Sequence, residues 1–298
     1  MPILQPDDWR KPFFESEYCP DNVIIPTKDT DAYQMNPQHN WVYNKLLIAE
    51  KQSIPCGPHG TSITSYPAFS KPIYNLRSMG AGIEVLNNEK QYRKSLKPGY
   101  MWSELLTGEH YSTDAAVSFG KVLWIKHTRG IPLDNGTFDY WELNESAYLD
   151  GYLVQFIETH LAGYSGMLNL ETIGNKIIEV HLRFADQWPD LYGEWFVSSL
   201  IDLYANNTFT VGRNIESGYS VVLFDQHCLY KKPKKILIDE LLGIDGISSI
   251  QMPFHEGVHP SLHSMPPGGF RTGIINGFDL EACKNVRIRL KQMISQAQ

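Results

Sequence analysis

Between Met167 and Arg183 the chain alternates strictly. Leu168, Leu170, Ile178, Val180 and Leu182 are apolar, and Asn169, Glu171, Glu179, His181 and Arg183 are polar. Two such runs flanking Gly174-Asn175 predict a β-hairpin. A two-residue loop would set Leu170 opposite Glu179 and mix apolar and charged groups on one face. A loop of odd length pairs like with like, and a three-residue turn with Asn175 in the left-handed conformation supplies one. A one-residue slip inverts every side chain, so the apolar face selects the odd loop. Asn169, Glu171, Glu179, His181 and Arg183 then share the other surface.

Elsewhere the pattern is coarser. The first ~20 residues predict irregular chain, Val23 to Ile25 a short strand, and Asp29 to Asp31 a polar turn. Trp41, Leu46, Leu47 and Ala49 fit a helix from Asn40 to Gln52, ended by Ile54-Pro55. Residues 53–103 read as a small β-rich unit with one Gly-rich turn. From Glu104 strands and helices alternate in a larger unit, with helices expected at Trp188–Leu203 and Leu280–Ala297. The expected organisation is therefore α+β: a short N-terminal portion with its helix (1–52), a small unit (53–103) and a large unit (104–298). There is no internal repeat and no low-complexity linker.

Composition narrows the function classes. The chain has 298 residues, 42% of them hydrophobic, which is enough for a sizeable core. Its formal net charge is -7 and it carries no basic block, so neither nucleic acid nor an anionic membrane is an expected partner. Met1 to Phe14 contains Pro, Asp and Trp where a signal peptide would be apolar. No apolar stretch approaches the ~18 residues of a membrane span. Cys19, Cys56, Cys228 and Cys283 lack CxxC spacing, as in a cytoplasmic protein with reduced thiols. The sequons at Asn135, Asn144 and Asn206 would then go unmodified.

Three segments carry candidate chemistry. Two carboxylates with amide and imidazole neighbours on one rigid sheet suit a hard, oxygen-ligated ion such as magnesium. The same alternation also describes an ordinary solvated sheet face. Phe69-Ser70-Lys71-Pro72, followed by Ser78-Met79-Gly80-Ala81-Gly82-Ile83, would put a strand-held ammonium and closely approaching backbone N–H groups on phosphate, or else form a buried strand and a flexible turn. His255-Glu256-Gly257-Val258-His259 matches the HExxH pattern of zinc hydrolases, which works only on a helix. Pro253, Gly257 and Pro260 oppose a helix there, so a histidine-rich loop is expected. No GxxxxGK[ST] loop is present, and Gly80-Ala81-Gly82 lacks the third glycine of a dinucleotide fingerprint.

Taken in order, these segments resemble the ATP-grasp superfamily. Glu179-Val180-His181-Leu182-Arg183 is similar to its Glu-x-Asn-x-Arg magnesium motif, with His181 in the place of Asn; imidazole suits softer ions. Lys71-Pro72 and Ser78 to Ile83 resemble the Lys-Pro strand and glycine-rich lid loop, and Asn44-Lys45 the first nucleotide-contacting lysine. Met101 to Asp114 resembles the adenine hinge and ribose segment, with His110 where the family usually has Glu. Glu109 beside it would face the other side of the strand. The resemblance spans roughly residues 44–183. A fainter one, Gly268-Gly269-Phe270-Arg271-Thr272-Gly273 through Leu280-Glu281-Ala282, is to biotin-carboxylase-like members.

The resemblance implies an ATP-grasp fold in which two α/β subdomains clamp a nucleotide. ATP would lie between them, with Lys45 and Lys71 on its phosphates and Ser78, Gly80 and Gly82 closing over it. Glu104, Leu105 and Leu106 would meet adenine through main chain, and His110 would stand at the ribose. Glu171, Glu179, Asn169 and His181 would hold one or two Mg2+ ions, and Arg183 and Arg271 an acyl phosphate or substrate carboxylate. The implied reaction is that of an ATP-dependent carbon–nitrogen ligase acting on a small-molecule carboxylate and an amine. A kinase of the same fold, a non-catalytic nucleotide-binding protein and, more remotely, a zinc hydrolase are the alternatives. The family usually carries a full α/β domain before the first lysine, whereas here only ~40 residues precede it. That leaves room for a homo-oligomer in which a partner completes the substrate site.

Overall fold

A computed structural model describes residues 7–76, 80, 82–133, 136–144, 146–213 and 217–297. The helices are α1 (Asp29–Met35), α2 (Lys45–Lys51), α3 (Glu89–Lys94), α4 (Ala147–His160), α5 (Trp195–Asn206), α6 (Lys235–Leu242) and α7 (Leu280–Ala297). The first four strands are β1 (Cys56–Pro58), β2 (Ala68–Pro72), β3 (Glu84–Leu86) and β4 (Tyr100–Glu104), in a sheet of order β1-β4-β2-β3. The remaining strands are β5 (His110–Ser118), β6 (Lys121–Pro132), β7 (Phe138–Asn144), β8 (Gly166–Ile173), β9 (Lys176–His181), β10 (Tyr219–Asp225), β11 (Ile247–Gln251) and β12 (Phe270–Gly277). They form a second sheet of order β11-β12-β10-β7-β6-β5-β8-β9. The pairings are antiparallel in both sheets.

Each face of the large sheet has its own cover. On one face α4 sets Leu149, Leu153, Phe156 and Ile157 against Leu168, Leu170 and Val180, and α7 sets Val286, Leu290 and Ile294 against Val221 and Ile275. Burying each such aliphatic side chain contributes about 1.5–3 kcal/mol. The other face is covered by Trp188, Tyr192, α5 and the N-terminal segment carrying Phe14, Val23 and Ile25. Ala49, Ile54 and Met101 pack where α2 meets the small sheet. Among the described residues no helix is long and apolar enough to cross a membrane, and none of the four cysteines is in a disulfide.

Several local expectations need correction. The β8–β9 hairpin pairs Leu170 with Val180 and Glu171 with Glu179, as the polarity argument requires, but not through a three-residue turn. Ile173 pairs with Lys176 across a two-residue loop in which Gly174 and Asn175 both have positive φ, the requirement of a I′ hairpin. A bulge between Glu171 and Thr172 then restores the matching register, leaving Ile178 unpaired and Ile177 in the core. The expected helix at 40–52 is a 3-10 turn (Asn40–Tyr43) and then α2, divided by Asn44, whose side chain accepts from the Leu46 and Leu47 N–H groups. Asp29 to Asp31 is the first turn of α1 rather than a polar turn. Val23 to Ile25 yields only a single bridge residue, Ile25. Residues 188–203 divide into a 3-10 turn (Pro189–Tyr192) and α5, separated by Gly193 at φ 110°. Helix α7 runs over the expected span.

Candidate nucleotide and metal site

The charged cluster lies at the β5-β8-β9 end of the large sheet. Register places Ser112 opposite Glu171 and Asp114 opposite Asn169 across β5 and β8, and Asn169 opposite His181 across β8 and β9. Alternation aims these side chains to one face. At its centre is Asp29, 4% exposed, at the start of α1. Arg183 closes a fork on it, Nε to Oδ1 at 2.9 Å and Nη2 to Oδ2 at 3.1 Å. His181 Nδ1 lies 3.0 Å from Oδ1, and the Tyr43 hydroxyl donates to Oδ1 at 3.2 Å. Burial alone would raise this carboxyl, but Arg183 and His181 outweigh it and hold Asp29 well below the usual carboxylate range. An ionised carboxylate only accepts, so His181 Nδ1 carries its proton toward Asp29.

The other ring nitrogen of His181 is turned inward. Nε2 lies 3.8 Å from Glu171 Oε1 and 3.7 Å from Glu179 Oε2, and makes no hydrogen bond. Burial works against an imidazolium here, yet Asp29 and Glu171 push His181 up to about 9. His110 Nε2, also buried without a hydrogen bond, lies 3.4 Å from Glu171 Oε2, and its ring meets Phe138 and Trp141 edge-on. Glu171 is one-third exposed. Desolvation raises its carboxyl, but the two imidazoles hold it well below its ordinary value.

Two lysines face these carboxylates. Lys45, in the first turn of α2, is buried and forms an ion pair with Glu179. Lys71 reaches over from β2 and donates to the carbonyl of the bulged Ile178 at 3.1 Å. Burial lowers Lys71 to about 8, with Glu179 opposing the shift. A crevice of about 10 Å³, the room one water needs, lies among Tyr43, Lys45, Glu179 and His181.

The connector between the sheets crosses the hairpin loop. A Cβ on Gly174 would lie 2.2 Å from the Thr107 carbonyl oxygen, so glycine is required there. Leu105 and Leu106 are half-buried in this connector, and the Glu104 side chain is exposed. Gly80 and Gly82 are exposed with positive φ, and Ser78 lies outside the described residues. Asn169 spends both amide hydrogens, on Ser112 Oγ (2.8 Å) and Asp114 Oδ1 (2.7 Å), leaving Oδ1 as its donor atom for an ion.

Lys45, Lys71, His110, Asn169, Glu171, Glu179, His181 and Arg183 thus come together, and Arg271 does not. It sits on β12 and is reached by the segment 183–190, which crosses the sheet face. Along that segment Ala185 N–H donates to Asp114, Gln187 bonds Ser220 and Arg271 Nη1, and Asp190 accepts from Ser248, Ser249 and Asn276. Arg271 Nε is buried without a hydrogen bond, and Asp186 nearby is paired with Arg10. Burial lowers Arg271 to about 10, partly offset by Asp186. The histidine-rich segment forms turns rather than a helix, and His263 Nε2 accepts from the His255 N–H. Asp29, Tyr43 and Gln187 were missed by sequence reasoning, because their partners lie far away in the chain.

Among the described residues no group of three or more His, Cys, Asp or Glu side chains is gathered closely enough to hold a metal ion as it stands. Glu179 is drawn aside by Lys45. The oxygen donors nevertheless suit a divalent cation: two carboxylates and an amide oxygen face one region, with two buried imidazole nitrogens beside Glu171.

No family model matches the sequence, and no curated protein matches it. Solved structures do. An N5-carboxyaminoimidazole ribonucleotide synthetase from Thermus thermophilus is 14% identical, with a TM-score of 0.62 over 92% of this chain and 83% of its own. An L-amino acid ligase from Bacillus licheniformis is 12% identical, with a TM-score of 0.59 over 88% and 72%. The biotin carboxylase domain of a 2-oxoglutarate carboxylase from Hydrogenobacter thermophilus, in complex with MgADP and bicarbonate, is 12% identical, with a TM-score of 0.60 over 92% and 74%. The chain has the ATP-grasp fold.

Proposed function

We propose that this protein is an ATP- and Mg2+-dependent ligase that activates a substrate carboxylate as an acyl phosphate for attack by an amine or similar nucleophile. One observation carries the reading: two buried lysines from one side, Lys45 and Lys71, face Glu171 and Glu179 on the other, with His181 between the carboxylates. That is a seat for a phosphate chain and its cation.

Lys45 and Lys71 neutralise the phosphates, and Gly80 and Gly82 let backbone N–H groups approach them. Main chain at Glu104, Leu105 and Leu106 meets the adenine edge. His110, which this geometry sets against Glu171, takes no part in ribose binding. Glu171, Glu179, the Asn169 oxygen and His181 hold one or two ions, which when bound offset charge on the transferring phosphoryl group. Arg271, with its Nε free of hydrogen bonds, receives the substrate carboxylate through a charge-assisted bond, and Arg183, braced by Asp29, fixes the floor of the site. Catalysis on this scheme is positioning and charge stabilisation.

The test measures melting with ATP and Mg2+, then phosphate release from panels of carboxylates with and without amines. A ligand at a hundred times its Kd stabilises the native state by about 2.7 kcal/mol. A nucleotide- and metal-dependent rise lost in Glu179→Gln, with phosphate released only when an amine is added, is the expected result. Release without an amine would indicate a kinase or ATPase, and no response to any nucleotide would end the reading.

A further inference from the structure

We propose that Gln52 is a positioning residue for the nucleotide phosphates: its side-chain amide selects which residue of β9 is bulged and so presents the Ile178 carbonyl to Lys71. This rests on the nucleotide-binding reading above and goes beyond it in naming a residue that acts on the phosphates through the backbone of β9.

The first argument is the choice of bulge. β9 has to leave one residue out of its pairing with β8 for Glu179 to stand opposite Glu171. Ile177 and Ile178 are adjacent and identical, so polarity does not choose between them. The structure pairs Ile177 with Thr172 and leaves out Ile178. β9 is the last strand of the large sheet, and both backbone groups of Ile177 reach Gln52 from that edge. Gln52 Oε1 accepts from the Ile177 N–H at 2.8 Å, and Nε2 donates to the Ile177 carbonyl at 2.8 Å. One side chain thus supplies what a neighbouring strand would, and holds Ile177 in the ladder.

The second is how firmly the amide is held. Nε2 also donates to the Ile48 carbonyl at 2.9 Å, and Oε1 accepts from the Tyr152 hydroxyl of α4. Both hydrogens and both acceptor positions of the amide are then engaged. The third is what the choice delivers. With Ile178 outside the register, its carbonyl accepts from Lys71 Nζ at 3.1 Å. Gln52 also caps the C-terminal end of α2, and Lys45 in the first turn of that helix pairs with Glu179. The Lys45 N–H donates to the carbonyl of Ile73, two residues past Lys71, at 3.0 Å. Gln52 therefore stands at a junction that fixes Lys45 through α2 and Lys71 through the bulge. A bulge at Ile177 would return Ile178 to the ladder and take its carbonyl from Lys71.

The experiment measures binding of MgADP and of adenosine by calorimetry to the full chain as wild type, Gln52→Met, Lys71→Met and the double variant. Met keeps the length of Gln and removes the hydrogen bonds of its amide. Gln52→Met should weaken MgADP binding by about tenfold, the scale of one hydrogen bond to a charged group, and leave adenosine binding unchanged. In the Lys71→Met background the same substitution should change MgADP binding by less than about twofold, because both residues then act on one interaction. Amide exchange should show Ile177 protected in the wild type and unprotected in Gln52→Met. An equal loss of MgADP in both backgrounds, or a parallel loss of adenosine, would make Gln52 a purely structural residue and overturn the proposal. MgADP binding retained in Gln52→Met, or an Ile177 amide still protected there, would also overturn it and leave the nucleotide reading intact. If Gln52→Met does not fold, Gln52→Glu carries the same test, since it keeps the acceptor for Ile177 and Tyr152 and loses both donors. A wild type that binds neither MgADP nor adenosine would remove both readings together.

Discussion

The two ends of the large sheet's functional face bury charge in opposite ways. At the β9 end, Asp29 meets Arg183 and His181, Glu179 meets Lys45, and Glu171 meets two imidazoles. At the β12 end, Asp190 accepts from the neutral donors of Ser248, Ser249 and Asn276, and burial raises its pKa in spite of them. Among the described residues, the Arg271 guanidinium has one hydrogen bond, to the Gln187 amide, with Asp186 nearby. One segment, 183–190, ties these ends together. The difference teaches where fixed charge is needed. The first end answers its carboxylates with cations and imidazoles, the arrangement that the proposed phosphate and cation seat uses. The second keeps an under-satisfied guanidinium that an incoming carboxylate would complete.

The sharpest way to break this contrast is to neutralise one aspartate at each end. Asp29→Asn leaves the Arg183 guanidinium buried without its paired carboxylate and takes from His181 the carboxylate on Nδ1, and a broken buried pair costs about 3–5 kcal/mol. Asp190→Asn keeps an acceptor for its neutral donors and should cost about 1 kcal/mol. Urea unfolding of both variants at neutral pH measures the pair. Equal losses would mean that the two ends do not differ in the way described.

A smaller effect is expected at Asp114, on β5 beside the charged cluster. It accepts from the Ala185 N–H, the Asn169 amide and the Tyr192 hydroxyl, without a close cation in that set. Burial outweighs these bonds and raises its pKa from 3.8 to about 6. The folded state therefore binds this proton more tightly than the unfolded state does. Its contribution to stability is complete below pH ~4 and is lost as pH rises through about 6, a change of roughly 2–3 kcal/mol for a shift of about two units. Carboxyl 13C NMR of the native protein should show one aspartate titrating near pH 6. A carboxyl that stays ionised down to pH 4 would place Asp114 with the charge-compensated end.

How much of this was legible in the sequence depends on how local each signal is. Alternation over 167–183 carries the hairpin, its buried face and the convergence of Asn169, Glu171, Glu179 and His181. The bulge is invisible because Ile177 and Ile178 are identical neighbours, and either can be left out of register without a change in polarity. Helix α7 was legible because nothing interrupts its apolar positions, whereas Gly193 and the cap at Asn44 divide two other expected helices. In the sequence Asp29 reads as a turn residue because its partners, His181 and Arg183, lie 152 and 154 positions away. Motif order alone points to Lys45; its burial against Glu179, 134 residues on, is a tertiary fact.

The smallest effect on stability is expected at Arg271, and it separates binding from folding. Among the described residues its guanidinium has one hydrogen bond, to Gln187, and its buried Nε has none. Asp186 already has Arg10 as its ion-pair partner, so removing Arg271 strands no carboxylate. An apolar side chain of similar length in place of a poorly compensated buried charge is often neutral. Arg271→Met should therefore change unfolding free energy by less than about 1 kcal/mol, while MgATP still raises the melting temperature as in the wild type. Phosphate release in the presence of carboxylate and amine should fall by about 100-fold, about the loss of one strong charge-assisted bond of 2–3 kcal/mol. The loss should be seen in the carboxylate KM as well as in kcat. If instead Arg271→Met unfolds the protein, the guanidinium is a structural charge like those at the β9 end, and the carboxylate must be received elsewhere.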